Sequence, residues 1–574
     1  MQIEWIKLNG FRNFSEARIK FNDKTLVIGA NDVGKTNLLY AIRILLDRTL
    51  SEANIEPQET DFHVQLDGVQ IEQLEVTIKL KDITEDAVLS KLKGNITDKG
   101  ETFLRYAANL TDLSHRLYIG HSEDALEITE ARFYLKHIHF RYIQSSRDLT
   151  HYIRSEKKHL LRISKDNRED EIAEQDQKKE EGIQTALGKV NDDIGKLSYV
   201  TDATTVVNQE MKKLSHHHSD YKVNLEAKSV NFSTFIDQLS LGASTQDRKV
   251  GLGGDGRNNQ ILMALWKAKS ELEHDLEDEA VIYCVEEPEA HLHPHQQRKL
   301  SKYLIDELPG QALVSTHSPQ ITESFQPDSI IRLYEKEGMT RAASDGCSDC
   351  VEDAWEDMGY RMSILPTEAF FSDCVLLVEG PSEVLFYHAL AEQLNIDLDY
   401  HNISILSVDG IAFGVYVKIL DALEIPWVMR TDNDVFKVPE SDPIKWNFAG
   451  LNRALRIAAE LEYEYFEQDE KPDDLSQEWA DEARVLNPKG IYVSKTDLEN
   501  DLGEALSDEL KKYAGKPTVK AAIKFLQGKK AIRMRKFLAE QGGSLGRLHS
   551  DALARPLHRA VKYVEERRST PVEE

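Results

Sequence analysis

Polar and apolar residues alternate through the first residues, MQIEWIKLNGFRNF, as they do in a strand with one covered face. Thr25-Leu26-Val27-Ile28 is apolar enough for a second strand, and 71–80 (IEQLEVTIKL) reads as another. Between them, NLLYAIRILLDR at 37–48 changes to helical spacing. From 151 to 230 charge of both signs is dense and apolar residues are sparse, which predicts a helical insertion. Such a segment either pairs with a second copy of the chain or stands as a solvated excursion; pairing is the expectation. Patterning typical of α/β units returns over 231–340. A Gly/Ser/Asp-rich stretch, RAASDGCSDC, and Pro366 predict a linker over 341–370. A second α/β unit is expected over 371–510, followed by a helical, locally basic part over 511–574.

With 574 residues there is room for two to four domains. A hydrophobic fraction of 41% and a charged fraction of 30% are those of a globular chain. No apolar run reaches the roughly 18 residues of a membrane-spanning helix, and the N-terminus does not read as a signal peptide. Four cysteines in so long a chain do not make a disulfide framework, so a cytoplasmic location is expected. The 99 acidic and 71 basic residues give a net charge of −28, which argues against a surface that coats nucleic acid indiscriminately. It leaves room for clustered carboxylates at a metal site and for a local basic stripe.

Gly29-Ala30-Asn31-Asp32-Val33-Gly34-Lys35-Thr36 matches GxxxxGK[ST] and lies between a predicted strand and a predicted helix. Backbone N–H groups around Asn31 and Gly34 would meet phosphate oxygens at the helix N-terminus. Lys35 would reach the β- and γ-phosphates and Thr36 would ligate Mg²⁺. Val281 to Val285 is an apolar strand that ends in Glu286-Glu287, the pattern of a Walker B strand. Glu286 would hold Mg²⁺ through water, and Glu287 would orient the attacking water. Gln144 follows a strand-like FRYI, a Gly-rich turn occupies 251–256, and Leu313-Val314-Ser315-Thr316 ends at His317. In this order the set resembles the ATP-binding domains of the ABC class of SMC and DNA-repair type. There Gln144 would be a Q-loop, 251–256 a degenerate signature and His317 a γ-phosphate contact. In that class the signature of one protomer closes the ATP site of another, so the resemblance implies at least a homodimer. Glu286 stands where most of the class has Asp, which would make ATP more a regulator than a fuel.

Cys374 to Val378 is an apolar strand that ends in Glu379-Gly380, with Glu383 four residues on near a helix start. Ile403 to Val408 ends at Asp409-Gly410, and Trp427 to Arg430 ends in Thr431-Asp432-Asn433-Asp434. Parallel strands deliver their C-terminal ends to one crevice, so these acids would converge. Asp432 and Asp434 alternate along an extended chain and would both face one metal. Oxygen ligands of this kind suit Mg²⁺ or Mn²⁺. The arrangement resembles a Toprim domain, whose two metal ions would activate a water and stabilise the leaving oxygen of a phosphodiester. Glu379, Glu383, Asp432 and Asp434 would then be ligands, with Glu379 also a candidate general base, and Asp409 either a ligand or a helix cap.

The succession of the two domains in one chain resembles the OLD (overcoming lysogenization defect) family, most closely its class 2 members and the Gabija nuclease subunits. The fold so implied is an ABC-type ATPase with a helical dimerisation insertion, followed by a Rossmann-like, parallel-sheet Toprim nuclease. By the same likeness Glu499, rather than Asp497, completes the second metal site, and Lys530, with Lys529 the alternative, sits at the active centre and neutralises phosphate charge. The resemblance implies double-stranded DNA as substrate, nicked or cut, two metal ions with Mg²⁺-ATP as a further cofactor, and a dimer or tetramer. It also implies a UvrD-like helicase partner and a role in defence against phage. The competing reading is an ATP-driven DNA clamp with a vestigial Toprim fold.

Overall fold

The computed structural model describes residues 1–143, 149–214, 232–239, 241, 243–245, 248–250, 255–272, 280–290, 292–350, 367–408, 413–439, 444–459, 467–468 and 483–568. The N-terminal unit is built on two sheets. β1 (Gln2–Phe11), β2 (Phe14–Lys20), β4 (Gln73–Lys81), β5 (Thr102–Asn109), β6 (His115–Ser122) and β7 (Ala125–Thr129) form an antiparallel sheet in the order β2-β1-β4-β5-β6-β7. The alternation seen in the first residues buries Ile3, Ile6 and Leu8. A register shift between Ile3 and Trp5 keeps Ile6 on the core face with Ile3, and leaves Trp5 on the opposite face, covered by Phe103 and Arg18.

The second sheet contains β3 (Lys24–Gly29), β8 (Ile138–Ile143), β11 (Ala280–Glu286), β12 (Gln311–Ser315), β13 (Ile330–Lys336) and β14 (Met339–Ala342), in the order β14-β13-β3-β12-β11-β8. All neighbours are parallel except β13 and β14. Strands covered on both faces read as continuous apolar runs, which is why LVI of β3 and VIYCV of β11 show no alternation. β9 (Ala243–Thr245) and β10 (Arg248–Val250) form a separate ribbon. Helices Leu149–Asp166, Asp170–Gly195 and Ser198–Leu214 lie in the segment read as an insertion. The first part of the expected linker is packed rather than loose: β14 extends the sheet edge, and Ala342, Ala343 and Cys347 are buried.

The C-terminal unit is a parallel sheet of β15 (Cys374–Val378), β16 (Ile403–Ser407), β17 (Trp427–Thr431) and β21 (Ile491–Val493), in the order β16-β15-β17-β21. A small antiparallel sheet of β18 (Val435–Lys437), β19 (Trp446–Phe448) and β20 (Glu467–Gln468) is inserted between β17 and β21. The final helix, Arg555–Arg568, is part of this unit's core: Leu557, Ala560 and Val564 share one apolar cluster with Cys374, Leu376 and Val378. Among the described residues no helix is long and apolar enough to cross a membrane.

A single apolar core joins the two units. It contains Leu26, Val314 and Ile330 of the first together with Phe370, Val375, Leu377 and Leu420 of the second. Arg332 of β13 crosses the same boundary. Its guanidinium donates to the carbonyls of Leu423 (3.3 Å), Glu424 (3.4 Å) and Ser372 (3.1 Å). Burial, with Arg567 nearby, lowers its pKa to about 10. Arg332→Met would strand those carbonyls in an interior, at about 1–3 kcal/mol for each one left unpaired. The expected outcome is a thermal midpoint lower by several degrees in scanning fluorimetry; an unchanged midpoint would remove Arg332 from this role.

Candidate active site

The P-loop begins where β3 ends, and the helix Lys35–Leu46 follows it. Gly34 caps that helix at φ 102°, and a Cβ there would stand 2.1 Å from Asn13 Nδ2, so backbone conformation and space both demand glycine. Asn13 and Thr340 in turn hold the loop, donating to the Val33 carbonyl at 2.8 and 2.7 Å. Lys35 is buried and donates to the carbonyls of Gly29 (3.0 Å) and Ala30 (2.7 Å). Burial lowers its pKa to about 8, against the pull of Glu287, Asp32, Glu289 and Glu286. Asn31 is exposed on the loop.

Strand β11 brings Glu286 to the same place. Its Oε2 accepts from the Tyr142 hydroxyl at 2.8 Å, and Thr36 also hydrogen-bonds this carboxylate. Glu286 Oε1 is buried with no hydrogen-bond partner, and burial raises the pKa of the group. An unsatisfied buried oxygen beside a P-loop threonine is what a hydrated Mg²⁺ would relieve. Glu287, in the left-handed region at φ 43°, points its Oε1 to within 3.6 Å of His317 Nε2. Glu289, which the sequence reading left without a role, accepts from Thr316 Oγ1 (2.7 Å) and from the His317 backbone N–H (2.8 Å), and so fixes the histidine loop. Gln144 and 251–254 lie outside the described residues.

In the C-terminal unit Glu379 follows β15, and Glu383 lies in the first turn of the helix Pro381–Gln393. Asp432 and Asp434 follow β17, Glu499 lies in the first turn of the helix Leu498–Ala505, and Lys530 begins the helix Lys530–Gln541. These residues come together at one edge of the sheet. Lys530 Nζ is 3.6 Å from both Asp432 Oδ2 and Glu499 Oε2. Burial pulls the lysine pKa down, but Glu499, Asp432 and Glu383 outweigh it and the net shift is upward. Burial raises Asp432 to about 8 and also raises Glu383 and Glu499, with neighbouring carboxylates adding to the effect. Asp497 does something different: it caps its helix by accepting from Asn500 N at 2.7 Å, and takes a bond from Gln527 Nε2 at 2.7 Å. Asp409 lies outside the described residues, and Lys529 immediately precedes the helix that Lys530 opens.

The Asp-x-Asp pair departs from the expected alternation. Asp434 takes φ 48°, which breaks the extended run, so the two acids diverge. Asp432 is buried on the Lys530 side and accepts from Leu498 N at 3.1 Å, whereas Asp434 is half exposed and pairs with Arg453 Nη2 at 3.2 Å. Asn433 is buried between them and accepts from Leu451 N at 3.2 Å. Gly450 lets the helix Ala449–Ala459 approach this turn, since a Cβ there would stand 1.9 Å from the Asp432 carbonyl oxygen.

Two arginines complete the site, and the sequence reading assigned neither. Arg430, next to last in β17, is fully buried, 2.8 Å from Asp501 Oδ2 and 3.7 Å from Asp432 Oδ1. A basic residue closing a buried apolar strand was its legible signal. Arg453 gave no such signal; it bonds Glu379 Oε1 at 2.8 Å as well as Asp434. Among the described residues no three His, Cys, Asp or Glu side chains already stand at metal-ligand spacing, and Lys530 and Arg453 lie among the acids. The donor set nevertheless fits a divalent cation. Glu499 is fully buried and neither of its oxygens has a hydrogen-bond partner, an arrangement that hard cations satisfy.

Residues 1–322 match an AAA ATPase domain model, and 370–434 match the overcoming lysogenization defect protein-like TOPRIM domain. The chain belongs to the AAA ATPase family and carries an OLD-like TOPRIM domain. This ATPase–TOPRIM chain is 26% identical to "Endonuclease GajA" of Bacillus cereus (strain VD045), over 89% of this chain and 91% of that protein. It is 22% identical to the "OLD nuclease" of Thermus scotoductus, over 76% and 82%. The "Old nuclease" of Escherichia phage P2 is also 22% identical, over 71% and 72%.

Mn²⁺ added to the nucleotide-free ATPase–TOPRIM protein is expected to raise its thermal midpoint, by the equivalent of about 2.7 kcal/mol at a hundredfold excess over Kd. Glu499→Gln should remove much of that gain. Asp497→Asn, which keeps the helix cap, should retain it. Equal gains in all three proteins would exclude Glu499 as a ligand.

Proposed function

We propose that the chain is a divalent-metal-dependent DNA endonuclease whose cutting is regulated by ATP. The observation that carries this reading is the buried, unsatisfied carboxylate of Glu499, which faces Asp432 across Lys530 at the sheet edge. Relatives named as endonuclease or nuclease support it. Glu379, Glu383, Asp432, Asp434 and Glu499 would hold Mg²⁺ or Mn²⁺. When bound, the ions supply Lewis acidity toward a phosphodiester and acidify a water. Lys530, half exposed, is placed to neutralise charge growing on the phosphate. Arg430 holds Asp432 in position from beneath. Lys524, Lys529, Arg535 and Lys536 are exposed on the adjoining helices and offer contacts to the backbone of double-stranded DNA.

The homo-oligomer has support of its own. On the helix Asp170–Gly195, Ile172, Ile183 and Val190 are exposed and spaced so that they lie on one face. A second copy would cover that stripe and bring a signature loop to the ATP site. The role in phage defence, the UvrD-like helicase partner and the cytoplasmic location rest on family likeness and composition.

Regulation by ATP is supported by the contact between the units. Strand β13 pairs with the P-loop strand, Leu333 opposite Gly29. From the same strand Arg332 reaches the carbonyls at 423 and 424, and Tyr334 bonds the Glu424 carboxylate. Asp373, next to the Ser372 carbonyl that Arg332 holds, leads into β15 and so to Glu379.

In Mg²⁺ or Mn²⁺ the protein should nick or cut supercoiled plasmid. Glu379→Ala and Asp432→Ala are expected to lower that rate by more than about a hundredfold, beyond the loss typical of an outer-sphere partner. Full cutting by Glu379→Ala would overturn the site. Across an ATP titration, Lys35→Ala should flatten the response of cutting to nucleotide, and Tyr334→Phe with Glu424→Gln should weaken it. A wild-type titration curve from the double variant would argue against this route.

A further inference from the structure

Three basic side chains serve the carboxylate site, and they are held in different ways. Arg430 is fully buried and tied to Asp501 and to Ser494 Oγ. Lys530 is half exposed and stands 3.6 Å from its two acids, beyond hydrogen-bond distance. Arg453 alone hydrogen-bonds two of the proposed ligands at once, with Nη1 on Glu379 and Nη2 on Asp434.

Glu379 Oε1 is saturated. It accepts from Thr431 Oγ1, from Asp432 N at 2.9 Å and from Arg453 Nη1 at 2.8 Å. A carboxylate oxygen offers about two lone-pair sites, so three donors leave none on Oε1 for a cation, and coordination through that oxygen requires one donor to leave. Two of the donors are fixed: one is backbone, and the other belongs to a fully buried, β-branched residue at the end of β17. The third sits at the tip of a long side chain on a separate helix. Its guanidinium also lies 5.7 Å from the centroid of the Phe413 ring, a contact that persists without either carboxylate. The partner on its other branch, Asp434, is half exposed and in a strained turn, so that end of the bridge is free to adjust.

We propose that Arg453 is an exchangeable counter-ion: it bridges Glu379 and Asp434 in the metal-free protein and yields both to an incoming divalent cation. This rests on the metal-site reading above. An arginine holds its charge at any working pH, so the exchange responds to metal concentration and not to protonation of the arginine. A carboxylate pair already neutralised by the protein's own cation binds metal less tightly than a bare pair. Arg453 therefore sets the concentration at which the site loads.

The test is Mn²⁺ binding to the nucleotide-free, DNA-free full chain, followed by the loss of the free-ion electron paramagnetic resonance signal. Arg453→Gln removes the competing charge and is expected to bind Mn²⁺ about tenfold more tightly, the scale of one lost charge-assisted hydrogen bond. Arg453→Lys keeps the charge but cannot span both carboxylates, and should fall between Arg453→Gln and the unaltered chain. If Arg453→Gln does not fold, a tighter Kd for Arg453→Lys alone supports the exchange. Unchanged or weaker binding by whichever variants fold would overturn it and leave Arg453 a structural clamp. Glu379→Gln separates the two readings. Weakened Mn²⁺ binding in that variant keeps the metal site, whatever Arg453 does, whereas unchanged binding in Glu379→Gln sinks the site itself.

Discussion

Like charges gathered at the end of one sheet repel one another, and the C-terminal unit is organised around containing that repulsion. Parallel strands leave no choice about where their carboxyl ends fall, so Glu379 and Asp432 meet, and helix starts add Glu383 and Glu499. Burial makes the problem worse by removing water from Asp432, Glu383 and Glu499. The protein answers with three permanent cations at three depths: Arg430 beneath, Lys530 on one flank and Arg453 on the other. These cations offset the repulsion in part only, because Asp432, Glu383 and Glu499 remain buried beside one another.

The N-terminal unit meets the same difficulty with different means. Glu286, Glu287 and Glu289 lie within four residues of one another. Glu289 is held at Oε1 by a threonine hydroxyl and a backbone N–H, Glu287 turns away through a left-handed backbone, and Glu286 Oε1 and Glu289 Oε2 are each left buried without a hydrogen-bond partner. Glu286 is the one that hydrogen-bonds Thr36, and so stands next to the P-loop. A run of charges that looks uniform in one dimension becomes a set of distinct environments in three.

What could be read from the chain follows from this. Strand ends were legible because continuous apolar runs stop abruptly at carboxylates, and the parallel sheet of the C-terminal unit was expected for that reason. The P-loop was legible because its glycines and lysine are required by backbone geometry as much as by chemistry. The divergence of Asp432 and Asp434 was not, because a single left-handed φ has no mark in a D-x-D pattern. Arg453 was hidden on an ordinary amphipathic helix, and its importance comes from Gly450, which allows that helix to approach the turn. The first residues of the expected linker look polar and small, yet β14 captures them at the edge of a sheet whose other strands lie far away in the chain. The segment at 151–230 announced helices through composition, but not that the first of them would bury Ile153 in the core shared with the helix Asp255–Leu272.

The apolar core common to both units has a consequence for how this chain can be divided. Phe370, Leu420 and Val375 on one side and Leu26, Val314 and Ile330 on the other belong to one cluster. A protease nick between 350 and 367 would therefore leave two fragments still clasped together, whereas either fragment expressed by itself would present a greasy, unpaired wall to water. Shuffling the nuclease half onto a foreign nucleotide-binding module would demand that the new host reproduce that wall, not merely supply a tether of suitable length.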